Sequence, residues 1–255
     1  MSKIKLSVIC FFLVIWGTGN VFGADLRVAY TEWCPYMCTK EAANVGYGVE
    51  LSRLALAEAD VKVSMQQLPY RKAVQMLNAG EIDMIPVMYD YDLDEATAAA
   101  HIMGIKENQY FILSGTDWYY TNPVSLERLN SLGLLQGQRY HPVVELFKRK
   151  NRSNVTILSE EEGTSGLINL LIEKKVTAIL QDSNAVAFYK SKLANAGEVK
   201  LVGTMPNPQK LVTGFSDKLN NQAELIKKFD ESLAALKESG KYQAVLAKYN
   251  VKDWQ

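Results

Sequence analysis

Residues 66–92 read QQLPYRKAVQMLNAGEIDMIPVMYDYD, and this stretch decides the fold class. Pro69 suits the first turn of a helix, and Gly80 suits its end. Between them, apolar residues recur at the spacing of one helix face: Tyr70, Ala73, Val74 and Leu77. A nearly continuous apolar run follows from Ile82 to Met88, as expected of a parallel strand covered on both faces. The pattern predicts a helix that leads into a buried strand of an α/β sheet.

Aromatic and acidic residues follow that strand. They are Tyr89, Asp90, Tyr91 and Asp92. In open α/β sheets, ligands bind in the crevice beyond the carboxyl ends of the strands. We therefore expect Tyr89, Asp90 and Asp92 to contribute to a site for a small molecule.

The rest of the chain continues this alternation of strand and helix. Upstream, the pattern predicts a strand at Leu26–Tyr30, a helix at Val49–Ala59 and a strand at Val61–Gln67. Downstream, a second cycle ends in the apolar strand Val176–Leu180, which leads into Gln181 and Asp182. The chain is long enough for two lobes, and no flexible linker divides it, so strands are expected to join the lobes.

The amino terminus has the pattern of a secretory signal peptide. Lys3 and Lys5 precede an apolar run from Leu6 to Trp16, and small or tolerated residues precede Ala24. We expect residues 1–23 to be removed on export; the alternative is an amino-terminal membrane anchor. The remaining chain has 26 basic and 28 acidic residues, a formal charge of −2, which argues against a nucleic-acid partner.

Cysteine and histidine usage indicates a disulfide rather than a metal site. After residues 1–23 are removed, only Cys34 and Cys38 remain, and in an oxidising compartment we expect them to pair. His101 and His141 lie far apart in the sequence and do not supply a zinc site. No metal or cofactor is expected.

The loop from Thr31 to Tyr47 is rich in aromatic residues. It carries Glu32, Trp33 and Tyr36. Exposed rings are costly unless they cover something. Trp33 and Tyr36 either pack over the disulfide or stack on a ligand, and the sequence leaves both interpretations open.

Several motifs together resemble a known family. They are GYGVEL at 46–51, LPYRKAVQMLNAGEID at 68–83, KVTAILQD at 175–182, and the terminal helices around 240–242. In this order and spacing they resemble the periplasmic solute-binding proteins of bacterial family 3, the polar amino-acid type. The resemblance covers essentially the whole chain after the signal peptide.

The resemblance implies a periplasmic binding protein type 2 fold. Two α/β lobes, each a mostly parallel sheet flanked by helices, would be joined by two crossing strands near residues 110–114 and 211–214. Residues 24–112 and 211–255 would form the first lobe and residues 113–210 the second. Such a monomer closes around a small solute in the periplasm and delivers it to an inner-membrane ABC-type permease or reports it to a sensor.

The resemblance also assigns candidate ligand-binding residues. Tyr70 falls where the family places an aromatic ring under the ligand, and Asp90 and Asp92 fall in the strand-end segment that receives it. Asp182 matches the aspartate that accepts the ligand's ammonium group, since a desolvated cation needs a charge-assisted acceptor. Asp182 also suits the cap of the following helix, and capping alone is the alternative.

One family feature is missing. The amino-acid binders usually place an arginine a few residues after the strand end to hold the ligand's carboxylate, but residues 93–100 contain none. The nearest substitutes are Arg71, beside Tyr70, and Arg139, in a turn with Tyr140. Each arginine either points into the site or lies on a solvated face.

These observations favour a binding protein for an amine-bearing, amino-acid-like solute. The alternative is a lyase or dehydratase-like enzyme on the same fold, for which Asp90, Asp92, Asp182 and Glu162 supply carboxylates. The sequence has no Ser-His-Asp or Cys-His arrangement and no phosphate loop, so catalysis is not expected. A purely structural module would not explain the polar, aromatic strand ends.

Overall fold

The computed structural model describes residues 25–39 and 44–254, so the predicted signal peptide at 1–23 lies outside the described residues. The described part forms two lobes, each built on one five-stranded sheet flanked by helices, as the sequence predicts. None of the helices in these ranges is both long and apolar enough to cross a bilayer.

The first lobe is built on a mixed sheet. Its strands are β1 (Leu26–Tyr30), β2 (Val63–Gln67), β3 (Met84–Tyr89), β4 (Ala96–Lys106) and β10 (Gln209–Ser216). Their order in the sheet is β2-β1-β3-β10-β4. β1 runs parallel to β2 and β3, whereas β10 runs antiparallel to both of its neighbours.

The second lobe repeats this arrangement. Its strands are β5 (Asn108–Leu113), β6 (Leu132–Leu135), β7 (Val155–Leu158), β8 (Ala178–Asp182) and β9 (Val199–Thr204). Their order is β7-β6-β8-β5-β9. β6 runs parallel to β7 and β8, and β5 runs antiparallel to β8 and β9.

Helices cover both faces of each sheet. In the first lobe they are α1 (Tyr47–Glu58), α2 (Tyr70–Ala79), α6 (Gln222–Glu238) and α7 (Lys241–Lys248). In the second lobe they are α3 (Pro142–Lys150), α4 (Gly163–Ile172) and α5 (Ser183–Lys190). Short 3-10 turns occur at Asp90–Asp92, Pro123–Arg128, Arg152–Asn154 and Ala196–Glu198. Each lobe therefore has two apolar cores, one on either side of its sheet.

The stretch 66–92 folds as its pattern predicts. Pro69 immediately precedes α2, and Gly80 ends it in the left-handed conformation at φ 74°. Every residue of β3 is buried. Met84 and Val87 contribute to the core shared with α1 and α6, whereas Ile85 and Met88 contribute to the core shared with α2. Burial on both faces explains why β3 shows no polar alternation.

The chain passes between the two sheets twice. The first crossing lies at Glu107, between β4 and β5, and the second lies in residues 205–208, between β9 and β10. Both lie a few residues before the positions 110–114 and 211–214 that the resemblance implies, and β5 from its first residue belongs to the second sheet.

Two strands are not predicted by the sequence pattern. β4 begins with Ala96, Thr97 and a run of three alanines, which have low strand propensity. Its pairing with β10 along the whole shared length fixes it as a strand. β9 is a short edge strand that pairs only with β5 among the described strands. In both strands, tertiary pairing outweighs a weak local signal.

Candidate functional site

A cavity of about 180 Å³ lies between the lobes. It is positioned by the carboxyl ends of β1, β3, β6 and β8, and by the amino terminus of α4. Its lining residues are Thr31, Glu32, Trp33, Cys34, Tyr70, Tyr89, Leu135, Gly137, Gln138, Glu160, Glu161, Glu162, Gly163, Thr164, Ser165, Gln181 and Tyr189. This is the location expected of a ligand site in open α/β sheets.

The first lobe supplies an aromatic wall. The Trp33 ring lies 5.2 Å from Tyr89 and 6.4 Å from Tyr70, measured between centroids. Tyr70 and Tyr89 pack edge to face at 5.6 Å. The Tyr70 hydroxyl donates to Asp92 Oδ2 at 2.9 Å and accepts from the Tyr89 N–H, so the ring is held in place. Such faces attract a cation within about 6 Å.

Carboxylates line much of the remaining cavity surface. Glu32 accepts a hydrogen bond from the Tyr189 hydroxyl of the second lobe at 2.9 Å and is also bonded by Thr39. Residues 160–162 are all glutamates at the start of α4. The Ser159 N–H and hydroxyl both donate to Glu162, which holds the pKa of that carboxyl below its usual value. Among the described lining residues there is no lysine or arginine.

Both candidate arginines lie at the rim. Arg71 donates to the Gly137 carbonyl at 2.9 Å, and Arg139 pairs with Asp92 at 3.2 Å. The Arg139 guanidinium stacks over the Tyr91 ring at 4.5 Å, and its side chain is 63% exposed. Both side chains link the two lobes outside the cavity, and neither contributes to its lining.

A buried polar layer lies directly behind the cavity wall. Lys106, at the end of β4, donates to Gln138 Oε1 at 2.9 Å, and the Tyr89 hydroxyl donates to the same oxygen at 2.9 Å. The Tyr36 hydroxyl donates to Asp182 Oδ2 at 2.8 Å. Burial raises the pKa of Tyr36 and Tyr89 well above the ordinary tyrosine value, so both hydroxyls stay protonated and act as donors.

The predicted site residues therefore occupy different places. Those that line the cavity are Trp33, Tyr70 and Tyr89. Those in the layer behind it are Tyr36 and Asp182, and those at the rim are Arg71, Asp92 and Arg139; Asp90 is exposed and does not line the cavity. Tyr140 bonds the Leu135 backbone through its hydroxyl. Their roles in ligand binding stay predictions.

Asp182 has the local role that the sequence offered as the alternative. Its side chain accepts from the Ala185 N–H at 3.0 Å and caps α5. The bond from Tyr36 shows that Asp182 also joins the lobes, so capping is only part of its contribution.

Several residues of the cavity were not predicted. They are Thr31, Glu32, Leu135, Gly137, Gln138, Glu160, Glu161, Thr164, Ser165, Gln181 and Tyr189. For some of them a signal was present, because Thr31 follows β1, Leu135 ends β6 and Gln181 lies near the end of β8, all at carboxyl ends of parallel strands. Lys106 gave no such signal, because β4 itself is not recognisable from the sequence.

The predicted disulfide is confirmed. Cys34 and Cys38 are bonded, with their Cα atoms 4.9 Å apart. Both are buried, and Cys34 lines the cavity beside Trp33. The sequence left open whether Trp33 and Tyr36 pack over the disulfide or face a ligand. Trp33 faces the cavity, whereas Tyr36 is fully buried and packs on Trp33 and Tyr47.

Residues 26–252 match the model of one protein family, the bacterial extracellular solute-binding proteins, family 3. The chain belongs to this family. The resemblance predicted from the sequence motifs is thereby confirmed. No curated protein sequence matches the chain.

Solved structures of the same fold include both transport and sensor proteins. An ancestral arginine-binding protein bound to arginine superposes with a TM-score of 0.70 at 19% identity, covering 88% of this chain and 97% of that one. A putative L-cystine ABC transporter protein from Listeria monocytogenes gives 0.69 at 17% identity, covering 88% and 95%. A histidine kinase sensor domain with similarity to periplasmic binding proteins gives 0.69 at 16% identity, also covering 88% and 95%. At these identities the likeness shows the fold alone.

Proposed function

We propose that this protein traps a small amine-bearing, amino-acid-like solute between its lobes in the periplasm and passes it to an ABC-type permease or a sensor. The observation that carries the proposal is the composition of the cavity. Aromatic faces form one wall, four glutamates line it, and the described lining residues include no lysine or arginine. Glu32 and Glu160 are partly buried there, and withdrawing a carboxylate from water is costly unless a cation accompanies it.

Glu32 is the best-placed acceptor for the amine. It lies next to Trp33 in the aromatic wall, and Tyr189 and Thr39 fix its orientation. A carboxylate that is already positioned loses little entropy when it binds an ammonium group. Cation–π contact with the Trp33 face would add to the attraction.

The first turn of α4 offers donors for the acidic end of a zwitterion, although Glu160, Glu161 and Glu162 immediately precede it. Thr164 and Ser165 belong to the first turn of α4, where backbone N–H groups and the helix dipole favour a negative charge. Gln181 donates to the Thr164 hydroxyl at 3.0 Å, which orients that side chain. This polarity supports an amino-acid-like solute even though Arg71 and Arg139 lie outside the cavity.

The contacts between the lobes support a hinged trap. Hydrogen bonds from Arg71, Tyr36 and Tyr189 cross from one lobe to the other at 2.8 to 2.9 Å. These bonds surround the cavity, and each would break if the lobes opened. Small-angle scattering should therefore report a smaller radius of gyration with solute than without it.

The test begins with identification of the solute. Mass spectrometry of gently purified protein and a thermal-shift screen of amines and amino acids name candidates, and recovery of the compound unchanged distinguishes binding from turnover. Glu32→Gln should weaken binding of the compound found by at least about tenfold, or about 1.4 kcal/mol. Glu238→Gln, at an exposed position at the end of α6, is the matched control. Equal affinities of wild type and Glu32→Gln would contradict the proposal, as would a tightly bound anion.

A further inference from the structure

Lys106 is a buried cation that the proposed binding function does not use. Its side chain is 1% exposed, and its ammonium lies 5.2 Å from the centroid of the Tyr89 ring. Its hydrogen-bond partner is the neutral Gln138 Oε1. An ammonium has three donors, and burying it is costly unless a negative charge compensates.

Asp182 is a buried carboxylate close to Lys106 in the fold, because Asp182 pairs with Asn108 of β5, two residues after Lys106. Asp182 is also 1% exposed. Its Oδ2 accepts from Tyr36 and Ala185, whereas its Oδ1 is buried without a well-formed hydrogen bond among the described residues. Burial raises the pKa of Asp182, and the Ala185 N–H, the Tyr36 hydroxyl, the Lys106 charge and the Glu107 N–H oppose that shift.

The two groups compensate each other across the hinge. Burial lowers the pKa of Lys106 to about 8, and the charge of Asp182 opposes that shift. Lys106 ends the last strand before the first crossing, whereas Asp182 ends β8 of the second lobe. The neighbouring side chains Tyr36, Tyr47 and Tyr89 are neutral because their pKa values are raised.

We propose that Lys106 is an internal counter-ion: without direct contact, its buried ammonium balances the charge of Asp182 in the closed protein and removes the electrostatic need for an external amine there. Lys106 is thus a specificity-determining residue. This assignment of specificity rests on the proposed function. Because the charge of Asp182 is already balanced, the amine of the solute is held by Glu32, on the other side of the wall formed by Gln138 and Tyr89. The closed site then accepts one amine there and excludes a second amine at Asp182.

The inference can be tested by replacing the side chain with a separate small molecule. Lys106→Ala removes three carbons and the ammonium group, and 1-propylammonium is that missing fragment. At tens of millimolar, 1-propylammonium chloride should raise the melting temperature of Lys106→Ala by about 3 °C more than that of the wild type. Any rise shared with the wild type reports binding in the solute cavity, so only the excess counts.

Three controls isolate the charge at Asp182. 1-Propanol has nearly the same size and no charge, and should give no excess. Lys106→Ala combined with Asp182→Asn should lose the excess. Lys210→Ala removes an exposed lysine on β10, the strand paired with β4, and should respond as the wild type does. An absent excess, or an equal response to propanol, would overturn the inference.

A second measurement applies if Lys106→Ala does not fold. Lys106→Met and Asp182→Asn each leave one buried group without its charged partner, so the double variant should melt higher than either single variant. Additive effects of the two substitutions would overturn the inference. The experiments on Lys106 and Asp182 do not use the solute. Their outcome is therefore independent of the Glu32→Gln binding test, and either set can fail while the other succeeds.

Discussion

Raising the pH should stabilise the folded protein through Lys106. Burial lowers the pKa of its ammonium to about 8 from the ordinary 10.5. Because the pKa in the folded protein lies below that in the unfolded chain, the unfolded chain binds more protons between these values, and the free energy of unfolding rises with pH. Integrated from about pH 7 to about pH 9.5, the gain is about 2 kcal/mol. The window ends there because the buried tyrosines Tyr36 and Tyr89, with raised pKa values, reduce stability above pH 10.

The assay compares wild type with Lys106→Met, which keeps the length of the side chain and removes its charge. Melting temperatures measured between about pH 7 and about pH 9.5 should show the wild type gaining about 6 °C relative to Lys106→Met. Lys210→Met, at the exposed lysine of β10, should follow the wild type. Parallel curves for wild type and Lys106→Met would refute the reasoning, because Lys106 would then titrate as an exposed lysine does.

Three further predictions concern the disulfide, the first lobe and closure. Peptide mass spectrometry of the protein isolated from its native compartment should find Cys34 joined to Cys38; free thiols would contradict this. Asp83→Ala removes the buried acceptor of three hydrogen bonds from Arg27 at 2.6 to 2.9 Å and should cost about 3 kcal/mol in urea unfolding, whereas Glu238→Ala should change little. The solute identified in the screen should shrink the radius of gyration in scattering, and an unchanged profile at saturation would argue against a hinged trap.

The elements predicted best are those whose signal is local. α2 has a helical apolar stripe and β3 a nearly continuous apolar run, both of which reflect burial, and Gly80 ends α2 in the left-handed conformation. β4 has no such signal, since its alanine-rich start fits a strand only when β10 pairs with it. The family resemblance predicted the two lobes but placed both crossings a few residues late.

The candidate site was only partly predictable, because some of its contacts join residues that are far apart in the sequence. Trp33, Tyr70 and Tyr89 follow or precede strongly patterned elements, and strand-end logic places them near the cavity. The partnership of Glu32 with Tyr189 joins residues 157 positions apart, and no local pattern encodes it. The rim positions of Arg71 and Arg139 depend likewise on how the two lobes meet.

The position of β10 has a consequence for how the chain acquires its structure. β10 lies between β3 and β4 in the first sheet, although the entire second lobe separates it from these two strands in the sequence. The second lobe is continuous from β5 to β9 and contains all of its own strands, so it can form as soon as residue 204 is available. Until β10 inserts, β3 presents an unpaired edge and β4 has no partner strand in the described sheet, and unpaired strands are where extended segments associate wrongly. The order of strands thus makes the first lobe the later and more aggregation-prone part of the molecule during synthesis and refolding.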